Sequence, residues 1–291
     1  MKKTLRHSIR SWLLYHPYLN PFGFSFSRFF RTITIPIRTG PDFLIIGYTK
    51  SGSTALYDYL IQHPNIIKAS RKEIHFFDIS YWRGLDWYKS YFPTRFQKSR
   101  NPKNITGEAS PTYVFHPLAM NRIKKLFPKI KLLIILRNPT HRAYSHFQNY
   151  TRGNNEDCTF EEAINQETNR LEIYNKKLSN DEVRDEDVKF LKIPYLYLGQ
   201  YHDHLKKLFQ IFPKNQILIL KNEDLENETQ KTLENVFDFL DVPKYTISDI
   251  KKRKVGKYSQ MKNETQDFLN NYYKPYNEKL EKLLETNFDW E

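Results

Sequence analysis

The sequence predicts a single α/β domain with a central parallel β-sheet flanked by helices on both faces. Three short apolar runs, at residues 43–46, 131–136 and 216–220, are unbroken by polar positions in the way of strands covered on both sides. Helix-like stretches separate them, and such alternation implies a parallel sheet joined by right-handed crossovers. The first run also leads straight into a Gly/Ser/Thr loop, a sequence that holds phosphate at the start of a helix.

Each element follows from local chemistry. Residues 43–46 form the first buried strand, and residues 54–63 the helix after it. The run Lys-Leu-Leu-Ile-Ile-Leu at 131–136 is the second core strand, after which Asn138-Pro139 opens a helix with proline in its first turn. Residues 216–220 make a third core strand. A helix at 232–240 ends at Asp241-Val242-Pro243. The charged stretch 180–189 reads as a solvated loop or helix face. Ligands in sheets of this kind bind at the carboxyl ends of the strands.

Residues 1–40 form an arm before the domain, which spans 41–291. The arm carries Lys2, Lys3, Arg6, Arg10, Arg28, Arg31 and Arg38, with no acidic residue before Asp42, and it is rich in aromatics. Pro17 and Pro21 interrupt it, and no apolar run reaches signal-peptide or transmembrane length. It is expected to pack on the domain or stay loosely ordered, with peripheral contact at an anionic membrane as the functional alternative.

The loop after the first strand is Gly47-Tyr48-Thr49-Lys50-Ser51-Gly52-Ser53-Thr54. Gly47 and Gly52 keep the glycine spacing of a P-loop, so the domain is P-loop-like, but Ser53 stands where that motif has its lysine. The lysine is Lys50 instead. Backbone N–H groups and a helix N-terminus still point at an anion, while the lysine meets it from another direction. This departs from ATP hydrolysis and favours another phosphate-bearing donor. At the end of the second strand, Arg137 offers a planar fork for phosphate, and Ser145 adds a hydroxyl about two turns into the next helix. Two anion sites on separate strands suit a nucleotide with phosphates at two positions.

The formal net charge is +13, from 46 Lys+Arg against 33 Asp+Glu, which favours anionic partners. Cys158 is the single cysteine, so no intrachain disulfide forms and two-cysteine metal sites are excluded. A reducing, cytoplasmic setting fits, at the inner face of the membrane if the arm binds lipid.

With these motifs the chain resembles the sulfotransferases that use 3′-phosphoadenosine-5′-phosphosulfate (PAPS), and within them the heparan sulfate N- and 3-O-sulfotransferase branch. The likeness runs through Lys72-Glu73-Ile74-His75-Phe76-Phe77-Asp78, Gly84-Leu85-Asp86-Trp87-Tyr88, Gly107-Glu108-Ala109-Ser110-Pro111-Thr112-Tyr113, Gly199-Gln200-Tyr201 and Tyr272-Tyr273-Lys274-Pro275-Tyr276-Asn277. It implies that Lys50, Ser51, Gly52, Ser53 and Thr54 hold the 5′-phosphosulfate and that Arg137 and Ser145 hold the 3′-phosphate. A C-terminal cofactor loop is recognisable as Lys254-Val255-Gly256-Lys257-Tyr258, which assigns Lys254, Gly256, Lys257 and Tyr258 to the donor. It further implies that Glu73 is the general base, that His75 orients Glu73 or the acceptor, and that Lys50 stabilises the leaving phosphate. Glu108, Ser110 and Tyr113 either line the acceptor groove or brace the loop. The acceptor that the resemblance implies is a carbohydrate or glycolipid, acidic polysaccharides included, with no nucleic acid and no metal expected. Secretory relatives carry a membrane anchor and a disulfide that this chain lacks, so a bacterial-type enzyme is expected.

Two other classes compete. A P-loop kinase or NTPase needs lysine at position 53 and an acidic magnesium ligand after a strand, where this chain has Arg137. A non-enzymatic polyanion-binding module fits the basic charge but has no use for two nucleotide-phosphate sites with a carboxylate between them.

Overall fold

A computed structural model describes residues 31–180, 194–250 and 259–290. Five parallel strands, β1 (Phe43–Ile45), β2 (Ile66–Lys68), β3 (Ile105–Ala109), β4 (Lys131–Leu136) and β5 (Ile217–Lys221), lie in the order β2-β3-β1-β4-β5. The side chains of β1 and β4 explain why their sequences are apolar without alternation. Leu44, Leu132, Ile134 and Leu136 enter one core cluster, while Phe43, Ile45, Leu133 and Ile135 enter the other. Both faces are dry, and each such side chain contributes about 1.5–3 kcal/mol of burial.

The first face is covered by α4 (Ala119–Leu126), α8 (Tyr201–Ile211) and the end of α11 (Asn263–Leu284); the second by α1 (Ser53–Leu60) and α10 (Thr229–Leu240). The remaining helices are α2 (Gly84–Lys89), α3 (Arg95–Ser99), α5 (Pro139–Arg152), α6 (Phe160–Asn165), α7 (Glu167–Ser179) and α9 (Asn222–Asn227). A third cluster, with Ala143, Phe147, Phe160, Tyr195 and Tyr273, seats α5 against α6 and α11.

The three strands and three helices read from sequence are present, with shifted ends. The first helix runs from Ser53 to Leu60, and α10 begins at Thr229 and ends where Asp241 turns left-handed at φ 59°. At α5 the Asn138 side chain accepts from the His141 N–H, and Pro139 stands in the first turn. The apolar pattern does not reveal β2, which is too short, nor β3, whose Ile-Thr-Gly-Glu-Ala sequence buries a glutamate.

Residues 31–39 pack on the domain. Arg31 Nη1 donates to Ser70 Oγ, Arg38 bonds the carbonyl of Phe92, and the Thr39 N–H donates to the Pro93 carbonyl. Residues 1–30 of the arm, all but one residue of the charged stretch 180–189, and the proposed cofactor residues Lys254, Gly256, Lys257 and Tyr258 lie outside the described residues.

The chain leaves β1 toward β3 and β2 but leaves β4 toward β5. Connections diverging from neighbouring strands open a crevice at their carboxyl ends, where α/β proteins place ligands. The Lys50 loop and Arg137 sit at that crevice.

Candidate active site

The loop between β1 and α1 makes a sharp turn, with Lys50 at φ 70° and Gly52 at φ 101°. A Cβ on Gly52 would lie 2.2 Å from Asn222 Oδ1, so both the conformation and the space demand glycine. The Thr49 hydroxyl is buried with no hydrogen-bond partner, although it is a capable donor. Arg137 crosses from β4 and donates from Nη1 to the Lys50 carbonyl at 3.2 Å. Its own carbonyl accepts from Tyr201 Oη at 2.8 Å. The cation at the end of β4 thus supports the loop after β1.

Arg142 lies beneath this loop, fully buried. It donates to the Thr49 carbonyl and to the Tyr195 carbonyl, and it meets His146 Nδ1 at 3.5 Å. Ser145, one residue before His146, is buried on the same helix. Its neighbour Tyr144 donates to the Ser259 carbonyl at 3.0 Å, so the described chain resumes beside α5.

The segment from Glu73 to Asp78 sits at the carboxyl end of β3. Glu73 and His75 both adopt left-handed backbone, at φ 52° and 56°. Such conformations cost about 1–3 kcal/mol each in non-glycine residues and persist only where neighbours over-determine them. Here four consecutive amides are captured: Glu73 N–H by the Ala109 carbonyl at 3.1 Å, Ile74 N–H by Glu108 Oε2 at 3.1 Å, His75 N–H by Ser110 Oγ at 3.3 Å and Phe76 N–H by Tyr113 Oη at 2.8 Å. Ser110 in turn donates its N–H to the Ile45 carbonyl at 3.0 Å, tying the segment to the end of β1 beside the anion loop.

His75 is buried, and its Nδ1 lies 2.8 Å from Asp78 Oδ2, while Nε2 lies 4.0 Å from Glu73 Oε2. Thr112 also donates to Asp78, and the Ile79 N–H reaches its second oxygen at 2.8 Å. Burial pushes the Asp78 carboxyl up, but the His75 charge and the bonds from His75 and Thr112 outweigh it, leaving it below its usual range. An ionised Asp78 keeps the Nδ1 proton in place and turns Nε2 toward Glu73. The Glu73 side chain is 38% exposed. Lys72, half-buried, is pulled down by burial and pushed up by neighbouring Glu73. Burial pushes up the Tyr150 hydroxyl of α5, with smaller contributions from Glu156 and Glu73, which puts Glu73 within electrostatic reach of that helix.

The structure therefore brings Lys50 and Arg137 together directly and joins Glu73 and His75 to them through Ser110 and β1. Sequence reasoning assigned no part to Asp78, Thr112 or Arg142. His75-x-x-Asp78 had one usable signal, since that spacing lets a carboxylate reach back to a ring nitrogen. Arg142, inside the Arg137–Ser145 motif, showed nothing in sequence that separates a buried strut from a surface cation. Among the described residues no group of three or more His, Cys, Asp or Glu side chains gathers in a way that could hold a metal ion.

The parallel sheet thus carries a glycine-turned loop at the end of β1, an arginine at the end of β4 and a carboxylate–imidazole–carboxylate array beside them. The chain belongs to the sulfotransferase family, whose sulfotransferase-domain model matches residues 40–283. It is 30% identical over 277 residues to mouse bifunctional heparan sulfate N-deacetylase/N-sulfotransferase 4, covering 84% of this chain and 30% of that protein. It is 29% identical over 315 residues to the membrane-associated sulfotransferase kil1 of Dictyostelium discoideum, covering 86% of this chain and 66% of that one. The chain thus spans under a third of the mouse relative. A solved sulfotransferase from Alicyclobacillus acidocaldarius shares the fold, with a TM-score of 0.69 and 24% identity over 87% of this chain and 99% of that one.

Proposed function

We propose that the protein transfers a sulfuryl group from PAPS to a hydroxyl or amine of a carbohydrate acceptor. The observation that carries this reading is the convergence of an anion loop, braced by Arg137, with a half-exposed glutamate backed by a buried His75–Asp78 pair. Membership of the family and the heparan sulfate relatives support the donor and the carbohydrate class of acceptor.

The residues present fit the donor. The turn at Lys50 and Gly52 presents backbone N–H groups, and the buried Thr49 hydroxyl has a bond to give. Bound there, PAPS supplies the sulfuryl group and a phosphate leaving group. Lys50, Ser51, Gly52, Ser53 and Thr54 hold the 5′ end, and Lys50 offsets the charge that grows on the departing oxygen. Arg137 and Ser145 hold the 3′-phosphate. Glu73 accepts the proton of the attacking hydroxyl or amine, and His75, fixed by Asp78, steadies the resulting carboxyl. In-line transfer then depends chiefly on positioning and charge.

The exposed Ile33 and Ile37, flanked by Arg31 and Arg38, support peripheral contact of the N-terminal region with an anionic lipid surface. No helix of the described residues is long and apolar enough to cross a membrane.

The experiment is incubation of the purified protein with PAPS and glycan, glycolipid and polysaccharide libraries, read by mass spectrometry for a gain of one SO3 unit. Absence of transfer to every carbohydrate, with transfer to a small phenol or alcohol, would overturn the acceptor class.

A further inference from the structure

Glu108 is a carboxylate in the middle of the protein, on β3, with no exposed surface. A bare buried charge costs far more than a strand of this length recovers by packing. Its compensation is complete but unusual. Oε2 accepts from Ile74 N–H at 3.1 Å and Ser110 Oγ at 2.8 Å, and Oε1 from Tyr88 Oη and Tyr113 Oη, both at 2.9 Å. Four donors, two per oxygen, match the capacity of an ionised carboxylate. None of these partners is a cation. Burial pushes the Glu108 carboxyl above its usual range, against the pull of the bonds from Ser110, Tyr113, Ile74 and Tyr88. If protonated, it donates to one of the three hydroxyls, which then turns its own proton elsewhere, and the cage persists.

The four donors converge on one object. Ile74 lies between the two left-handed residues, Glu73 and His75; Ser110 takes the His75 N–H; Tyr113 takes the Phe76 N–H. Tyr88 anchors the other side, its ring stacked on Phe76 at 4.4 Å and 10°. We propose that Glu108 is the positioning residue of the site, a buried peg whose hydrogen bonds hold residues 73–76 in the strained conformation that aims Glu73 at the acceptor. It touches neither donor nor acceptor, and it acts through the backbone of the loop. This rests on Glu73 being the base.

The role separates from ordinary bracing in what it spares. The four partners of Glu108 are Ile74, Tyr88, Ser110 and Tyr113, none of them in the Lys50 loop or at Arg137, so its loss bears on the base more than on the donor site. Glu108→Gln keeps the shape but brings an NH2 into a cage built of donors. Tyr113→Phe keeps the ring against Phe77 and deletes the acceptor for Phe76 N–H.

The test pairs amide hydrogen exchange, which needs no acceptor, with isothermal titration of PAP and turnover on an acceptor found in the library screen. In both variants we expect exchange at residues 74–76 to quicken by at least about 10-fold, as local opening requires, while that of α1 and β4 is unchanged. Turnover should fall at least about 10-fold with PAP affinity within about 2-fold, the split expected when only the base is misplaced. Unchanged protection at 74–76 in both variants overturns the peg, whatever the turnover. Loosened amides with normal turnover overturn its positioning role. Parallel loss of PAP affinity and turnover would reduce Glu108 to a general brace. Should the wild-type protein transfer sulfuryl to nothing, the assigned function fails, and the exchange data still judge the peg.

Discussion

Arg137 Nη1 donates to the carbonyl of Lys50 at 3.2 Å, across the crevice between β4 and β1. One guanidinium thus fixes the turn that presents Lys50 and, in the proposed function, gives its remaining N–H groups to a phosphate. That bond couples the two proposed anion sites, so a change at Arg137 must be felt at Lys50.

Arg137→Ala should weaken PAP binding by about 10–100-fold, the value of a charge-assisted hydrogen bond or two. Arg137→Lys should recover only part of it, because an ammonium cannot span the Lys50 carbonyl and a phosphate as a fork does. Isothermal titration with PAP and ADP reads this. ADP binding the wild-type protein as tightly as PAP would remove the 3′-phosphate from Arg137 and Ser145 and revive the kinase reading.

Glu73→Gln should cut turnover by at least about 10²-fold, the lower range of general-base catalysis, with PAP affinity nearly unchanged. Asp78→Asn should cost less, about 10-fold, through the orientation of His75. Initial rates over a pH series check both. A Glu73→Gln protein with near-normal turnover would move the base to another residue.

His204 gives a pH dependence of stability. It is 3% exposed, neither ring nitrogen has a hydrogen-bond partner, and burial, with Lys207 adding to it, pulls its pKa from 6.5 to about 3. The unfolded chain therefore binds a proton that the folded one refuses. Stability is full above the unfolded value and is lost as pH falls from there toward the folded value, by up to about 1.4 kcal/mol per pH unit. His204→Phe should flatten this stretch of the profile in denaturant melts. An unchanged slope would mean that another group carries it.

Removing residues 1–30 should leave PAP affinity within about 2-fold, because the contacts of Arg31 and Arg38 with the domain remain and none of the proposed donor residues lies in the arm. Sedimentation with phosphatidylserine-containing vesicles should drop, and drop further with Ile37→Asp. Equal sedimentation of the full and shortened chains would end the lipid-surface proposal.

The unbroken apolar runs at β1 and β4 and the glycine-spaced loop between β1 and α1 were legible in sequence because those features are local: burial on two faces demands continuous Leu and Ile, and a tight anion turn demands glycine. Arg137 and Glu73 could be picked out by motif. What sequence alone could not decide was what lies opposite what. β3 escaped notice because its buried Glu108 and Gly107 carry no hydropathy signal, yet that strand supplies the acceptors for the loop of Glu73. Whether Glu108, Ser110 and Tyr113 line a groove or brace a loop depended on a strand pairing between residues more than sixty apart, Phe43 with Gly107. Likewise Asp78 became the partner of His75, and Arg142 the strut beneath Thr49, only when the chain closed around them. Local composition sets which segments are strand, turn and helix; the register of the sheet sets which charges are buried together, and only burial makes a carboxylate hold a strained loop.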